Sequence, residues 1–417
     1  MPDADVVIVG GGAAGLTLAY HLCAPDPRVA LSVLLVDAPP GPLRPPQRTW
    51  CYWEPPGGAY DSVLAASWPQ LRVRGADGSA TETRPAPFRY KMLRSDAFAA
   101  HVHRRLARAA GFRRVEATVT GVHAGPGGGE VLARDGRGRV LTLRGRHVFD
   151  SRPPRRLPPA RTTLLQHFTG WFVRTERPVF DPGTADLMDF RTRQPHRGLS
   201  FGYVLPLGPD AALVEYTEFS RATLDADGYR RALDHYTRDV LGLGPFQVTA
   251  QEQGVIPMTD GRFPRHAGGS VFRIGTAGGA TRPSTGYTFA AVQRQSRAVA
   301  SRLRAGRPPR VPAPHGARPR AMDAVMLRAL DSGRVDGAEF FARLFRHVPG
   351  ERLLRFLDGD SRLHEDLLIG LRTPVVPMLR TVLELPFRSR RTPGAGHTLS
   401  PPPPLRPAGH EEHEESA

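Results

Sequence analysis

The stretch Asp5–Leu22, "DVVIVGGGAAGLTLAYHL", decides the fold. Val6–Val9 form an unbroken β-branched run, the composition of a parallel strand covered on both faces. Gly10-x-Gly12-x-x-Gly15 follows and opens an amphipathic helix. Glycines at this spacing allow a tight turn, the close approach of a pyrophosphate and close packing of helix on strand, with the phosphates at the helix N-terminus. A second apolar strand, "LSVLLVD", ends on Asp37, where an acid meets a ribose hydroxyl. Gly10, Gly12, Gly15 and Asp37 are therefore expected to bind an ADP-containing dinucleotide. The fingerprint stands at the head of the chain and no second one for a nicotinamide cofactor follows, so the expected cofactor is FAD.

Two further segments fit this reading. "VFRIGTAGGATRPSTGYTFAAVQRQSRAVASRL", from Val271 to Leu303, reads as strand, glycine-rich turn and a long helix starting near Thr285 to Tyr287. In two-part flavoproteins such a segment closes the FAD domain, with the helix N-terminus aimed at the N1 and C2 carbonyl side of the flavin, where a positive helix end favours the anionic reduced form. Gly275 and Gly286 are the expected cofactor contacts, although the usual Gly-Asp pair is Gly275-Thr276 here. "YKMLRSDAFAAHVHRRL" predicts a helix with Ser95 as N-cap and places Arg94 to reach the FAD phosphates.

A different problem is posed by "LVEYTEFS", Leu213 to Ser220. The residue types favour an extended chain, and a period of two puts Leu213, Glu215, Thr217 and Phe219 on one face and Glu218 on the other. A carboxylate sharing a face with Leu and Phe is exposed at an edge, paired with a cation, or held protonated in an apolar pocket.

The net charge of +17 raises nucleic acid or an anionic membrane as partners. Lys91 is the sole lysine, the arginines are dispersed, and no zinc-finger, RNA-recognition or helix-turn-helix pattern occurs, which argues against nucleic acid. Cys23 and Cys51 form neither a disulfide framework nor a metal-ligand spacing. The histidines of "HEEH", His410–His413, are three apart rather than four, and no metal is expected. No run is long and apolar enough to span a bilayer, and the expected compartment is the cytoplasm. From Arg388 the sequence loses apolar periodicity and reads as a disordered tail, 388–417.

The ordered series of motifs resembles the flavin-dependent lycopene cyclases, most closely the bacterial lycopene beta-cyclases. It is carried by the fingerprint, "RTWCYW" (Arg48–Trp53), "VFDSRP" (Val148–Pro153), "LLQHFTGW" (Leu164–Trp171), "ADLMDF" (Ala185–Phe190), "FGYVLPL", "LVEYTEF", "EQGVIPM" (Glu252–Met258) and "STGYTFAAV" (Ser284–Val292). The resemblance implies an α/β protein: a discontinuous Rossmann-type FAD domain (1–50, 91–155 and 250–312), an inserted β-sheet substrate domain (51–90 and 156–249) and a C-terminal helical region (313–387). It implies Glu215 as the catalytic acid, since plant relatives carry a Phe-Leu-Glu-Glu-Thr motif here whose second Glu is Tyr216 in this chain. Trp50, Trp53, Trp171 and Phe190 become the expected walls of a polyene tunnel. The implied reaction converts lycopene to beta-carotene through gamma-carotene, with reduced FAD, NAD(P)H as external reductant and no net redox change. Lycopene and other carotenoids with acyclic ends are the expected substrates, met at the inner face of the cell membrane by peripheral contact through the C-terminal helices. The competing reading is an FAD-dependent monooxygenase or oxidoreductase acting on a lipophilic substrate.

Overall fold

The computed structural model describes residues 1–24, 31–41, 43–44 and 46–394. Its first sheet is built on the fingerprint strand, Ala4–Val9. This strand pairs in parallel with Val33–Asp37 on one side and Val140–Asp150 on the other, and Phe112–Glu116 and Val271–Arg273 extend the parallel order outward. Val6, Val7 and Ile8 are fully buried, as an apolar run without alternation requires. Helices Ala13–Leu22, Ser95–Leu106 and Phe289–Arg304 cover one face through Leu16, Phe98 and Val292. The hairpin Thr118–Gly125 and Gly128–Arg134 covers the other through Val131 and Ala133.

The second sheet has seven strands in the order Phe246–Thr259, Thr163–Thr175, Ala211–Ser220, Leu199–Pro206, Thr184–Asp189, Gln70–Arg74 and Ala80–Thr83. All neighbours are antiparallel except Thr184–Asp189 with Gln70–Arg74. One face lies under helix Ala226–Asp234. The other is covered by the small sheet Thr49–Glu54, Arg89–Arg94 and Ala66–Trp68 and by the C-terminal helices Ala317–Asp331, Gly337–His347 and Gly350–Asp358. Helices Leu363–Gly370 and Val375–Glu384 follow them. The strand Phe246–Thr259 corrects the domain boundary expected at residue 250, which falls inside it; the sheet carries the chain on to Thr259.

Three local expectations change for physical reasons. The long helix begins at Phe289, later than expected, because Gly286 is in the left-handed region (φ +73°) and the preceding turn is closed by Arg282 N–H donating to the Tyr287 carbonyl at 2.9 Å. Ser95 is the first helical residue rather than the N-cap, which is Arg94; its hydroxyl accepts from Arg48 N–H at 2.9 Å and so holds the start of strand Thr49–Glu54. Order continues beyond Arg388: Arg391 and Ala160 exchange backbone hydrogen bonds of 2.8 and 3.0 Å, and Arg390 donates to the Asp260 carbonyl at 2.9 Å. The rest of the expected tail, with its "HEEH", lies outside the described residues.

The turn before Phe289 is anchored by charge. Arg282 and Asp323, both 2% exposed, form an ion pair at 3.0 Å, and the Ser284 hydroxyl donates to Asp323 at 2.6 Å. Removing one partner strands the other in a dry interior. Asp323→Ala is expected to cost about 3–5 kcal/mol in urea unfolding, whereas the double change Arg282→Met with Asp323→Leu costs much less. Equal losses would show that the pair does not hold the turn.

Candidate active site

Strand Ala211–Ser220 keeps the alternation that its sequence predicts. Leu213, Glu215, Thr217 and Phe219 face the small sheet and the C-terminal helices, and Val214 and Tyr216 face helix Ala226–Asp234. Glu218 lies on that second face, where the Tyr216 hydroxyl donates to it at 3.0 Å and His167 stands 3.8 Å away. Among the described residues Glu215 has no cation in ion-pair reach. Its one hydrogen bond comes from the Thr217 hydroxyl, 2.6 Å from Oε1.

The register decides what surrounds Glu215. Tyr203 lies opposite it on one neighbouring strand and Gly170 on the other. Beyond Gly170, in the same row, comes Glu252. Two strand spacings put the Cα atoms of the two acids about 10 Å apart, with a glycine between them. A Cβ at Gly170 would stand 2.8 Å from the Leu213 side chain and 3.3 Å from Glu215 Cβ, so only glycine leaves this slot open. Both carboxyls are buried. Burial, reinforced by the Glu252 charge and opposed by the Thr217 bond, pushes the Glu215 pKa up to about 8.

Glu252 is also raised by burial, but its anion has partners that Glu215 lacks: the Thr49 hydroxyl at 2.6 Å, Arg94 at 3.8 Å and the more distant charge of Arg48. Of this coupled pair, Glu252 is the member that ionises first and Glu215 the member that keeps its proton.

Next to Glu215 is a cluster of phenols. The Tyr90 and Tyr287 hydroxyls are 3.2 Å apart, Tyr203 hydrogen-bonds Tyr287, and the Trp53 ring meets Tyr287 edge-on at 4.7 Å. Burial raises the pKa of all three phenols, so they stay neutral. Tyr203 and Tyr287 border an apolar cavity of about 30 Å³ whose other walls include Phe201, Phe219, Phe341 and Phe345.

Of the expected tunnel walls, Trp53 packs in this core, and Phe190 lies one layer behind Phe201, ring centroids 6.1 Å apart. Two are corrected. Trp171 pairs with Val214 and faces the opposite side of the sheet, among Val204, Tyr216 and Leu233. Trp50 turns away from the cavity to stack on Phe289 at 5.6 Å and meet Phe98 at 5.5 Å in the core of the first sheet.

At the fingerprint the geometry fits a dinucleotide. Gly10 has φ +95°, and a Cβ at Gly15 would lie 1.9 Å from the Gly10 carbonyl oxygen. Among the described residues, apart from its own chain neighbours, nothing lies within 4 Å of a Cβ built on Gly12, which leaves the approach to the helix N-terminus clear. Gly12 caps that helix without a side-chain bond and no acid stands in its first turn, so the N–H groups are free of an internal anion. Asp37 accepts from Gly11 N–H and from Arg44, each at 2.8 Å.

The Gly275 turn (φ +63°) sits against Ala14, at the start of the same helix. At the Gly286 turn the buried Gln166 Oε1 has no hydrogen-bond partner among the described residues and lies 2.0 Å from where a Cβ would stand, an acceptor open to a ring N–H. The Arg94 guanidinium is over the Phe172 ring at 4.3 Å, bonded to Gln47 at 2.9 Å and near Glu252, none of them part of the fingerprint.

The family model described as "Lycopene cyclase protein" matches residues 5–383. Solved structures of similar fold include a geranylgeranyl bacteriochlorophyll reductase-like protein from Thermoplasma acidophilum (TM-score 0.59, 14% identity, 92% of this chain and 98% of that one). A flavoprotein/dehydrogenase from Cytophaga hutchinsonii matches at TM-score 0.61 and 12% identity over 92% and 99% of the two chains. The p-nitrophenol 4-monooxygenase PnpA from Pseudomonas putida DLL-E4 matches at 0.57 and 16% over 93% and 99%. These likenesses establish the fold, the two-domain α/β arrangement of flavoproteins. No curated protein sequence matches the chain significantly.

The raised Glu215 pKa has a thermodynamic consequence. The folded chain binds a proton that the unfolded chain releases near the ordinary value of 4.5, so stability is fully present below about pH 4.5 and is lost as pH rises toward about 8. Glu215→Gln removes the titrating group. Its melting temperature relative to wild type should rise across this window and level off above it. Parallel pH curves would place Glu215 in contact with water.

Proposed function

Because the chain belongs to the lycopene cyclase protein family, we propose that it closes the acyclic ends of lycopene into beta rings by a proton-initiated reaction without net redox change. The observation that carries this reading is the Glu215 carboxyl, buried without a cation on an apolar sheet face beside the phenol-lined cavity. A carboxyl that holds its proton to about pH 8 is still loaded near neutrality and can deliver that proton to an alkene positioned against it.

Glu215 gives its proton to C2 of the acyclic end, leaving a cation at C1. The C5–C6 double bond attacks C1, the C1–C6 bond forms and the charge moves to C5. Loss of the C6 proton to the Glu215 carboxylate makes the ring double bond and reloads the acid. The faces of Tyr203, Tyr287 and Phe201 suit the passing cation, while Leu213 and Phe219 keep water from quenching it. Glu252, whose anion Arg94 and Thr49 favour against its burial, is the group placed to contribute negative charge in the same row as Glu215.

Gly10, Gly12, Gly15 and Asp37 would hold FAD, with Gly275 and Gly286 beside its ring. When bound and reduced, with NAD(P)H as the external source of electrons, the flavin supplies further negative charge to the site. Lycopene and other carotenoids with acyclic ends dissolve in lipid, so the enzyme works in peripheral contact with a membrane. Among the described residues no helix is long and apolar enough to cross one.

Gly12→Val fills the open space at the helix N-terminus and should abolish FAD binding, read as loss of the flavin spectrum after purification; undiminished flavin contradicts the assignment. Glu215→Gln should retain FAD and lose activity by a factor of about 10³ to 10⁴, read as pigment in a lycopene-accumulating bacterium. Glu218→Gln, on the other face, should lose little. Full activity in Glu215→Gln together with NADPH consumed once per ring would favour the oxidoreductase reading. Glu252→Gln removes the charge that lifts the Glu215 pKa, so the loss of activity at high pH should move to lower pH; an unmoved profile uncouples the two acids.

A further inference from the structure

The last two helices carry more exposed apolar surface than their contact with the core needs. Ile369 and Thr381 are buried, and Ile369 and Met378 pack in the core that contains Phe341, Phe345 and Leu357 of the cavity wall. Their outward side is different. Leu367 is 63% exposed, Leu371 and Leu383 70%, and Phe387 90%, with Leu363 and Leu379 between them in the same range. Such a concentration of large side chains in one short segment is not ordinary surface.

The charges of this segment point to what covers it. Each of its acids is engaged: Glu365 by Arg355 and Arg352, Asp366 by Arg318, and Glu384 by Arg328, Arg334 and Arg388. Arg372 and Arg380 are exposed and have no carboxylate in ion-pair reach among the described residues. The patch therefore offers bare leucines and unpaired positive charge together. We propose that this face, from Leu363 to Phe387, docks on a bilayer that carries anionic lipid, with the leucines and Phe387 in the acyl boundary and Arg372 and Arg380 at the headgroup phosphates.

A second copy of the chain fits less well, because an isologous contact sets this positive patch against itself in a molecule of net charge +17. Residues 395–417 have Leu399 and Leu405 as their only large aliphatic side chains and cannot match the area. The inference deepens the reading above, since it names the surface through which a lipid-dissolved substrate is reached. Its test needs no turnover, so failure of docking and failure of the chemistry are distinguishable.

Full-length protein is floated with vesicles of pure phosphatidylcholine and with vesicles of equal parts phosphatidylcholine and phosphatidylglycerol. Wild type and Glu215→Gln should both bind the anionic vesicles and bind the neutral ones weakly. Arg372→Gln and Arg380→Gln should each weaken anionic binding about fivefold. Leu371→Ser, Leu379→Ser and Leu383→Ser combined should abolish binding to both, at about tenfold or more per leucine. Flavin content and melting temperature check that each variant is folded, which substitution at exposed positions favours. Unchanged vesicle binding in the leucine variant overturns the proposal. So does a wild-type dimer by light scattering that the same leucine changes convert to monomer.

Discussion

A carboxyl group keeps its proton in a protein at neutral pH only where water is excluded and no cation relieves the charge, and that constraint organises the second half of this molecule. Glu215 meets both conditions on a central strand of a seven-stranded sheet. The small sheet, the Phe289 helix approach and the C-terminal helices all close over that face. Gly170 puts no side chain between Glu215 and Glu252, and no hydrogen bond joins the two among the described residues, so the second acid acts on the first through charge in a low-dielectric row. Arg94 and Thr49, from the small sheet, fix which of the two stays ionised.

The same elements link the two halves of the fold. Strand Thr49–Glu54 sends Trp50 and Tyr52 into the core of the first sheet and Trp53 toward Tyr287. The segment from Arg282 to Thr288 belongs to both: Arg282 and Ser284 are tied to Asp323 of the helical layer, Gly286 lies against Gln166 of the second sheet, and the helix that follows is tied to the fingerprint helix by Gln293 and Thr17 at 2.9 Å. The Gly10–Gly15 turn and the acid on the far sheet are thus held to one another by a short, heavily anchored segment.

Much of this was legible in the sequence where one periodicity or one motif is enough. The parallel strand at Val6–Val9, the acid at Asp37 and the face of Glu215 follow from local pattern. Trp171 was misplaced because its strand is buried on both faces, which erases the polar alternation that tells inside from outside. Trp50 was misplaced because its strand serves two cores at once. Glu252 stood in a recognised motif, but its proximity to Glu215 depends on the register of three strands distant in sequence. Arg94 answered to Glu252 and Phe172, partners that only the assembled sheets bring near. The start of the long helix moved because the buried Arg282–Asp323 pair holds the preceding turn, a contact between segments that no local helix signal encodes.

The central claim, that Glu215 supplies the proton that becomes part of the ring, is tested most directly by isotope. Lycopene is incubated with the reduced holoenzyme in deuterated buffer, where the Glu215 carboxyl exchanges its proton with solvent between turnovers as product leaves, and the product is read by mass spectrometry and NMR. The account predicts deuterium at C2 of every beta ring formed by the wild type and no labelled ring above background from Glu215→Gln. Unlabelled beta-carotene from the wild type, or labelled rings formed at the wild-type rate by Glu215→Gln, would contradict it.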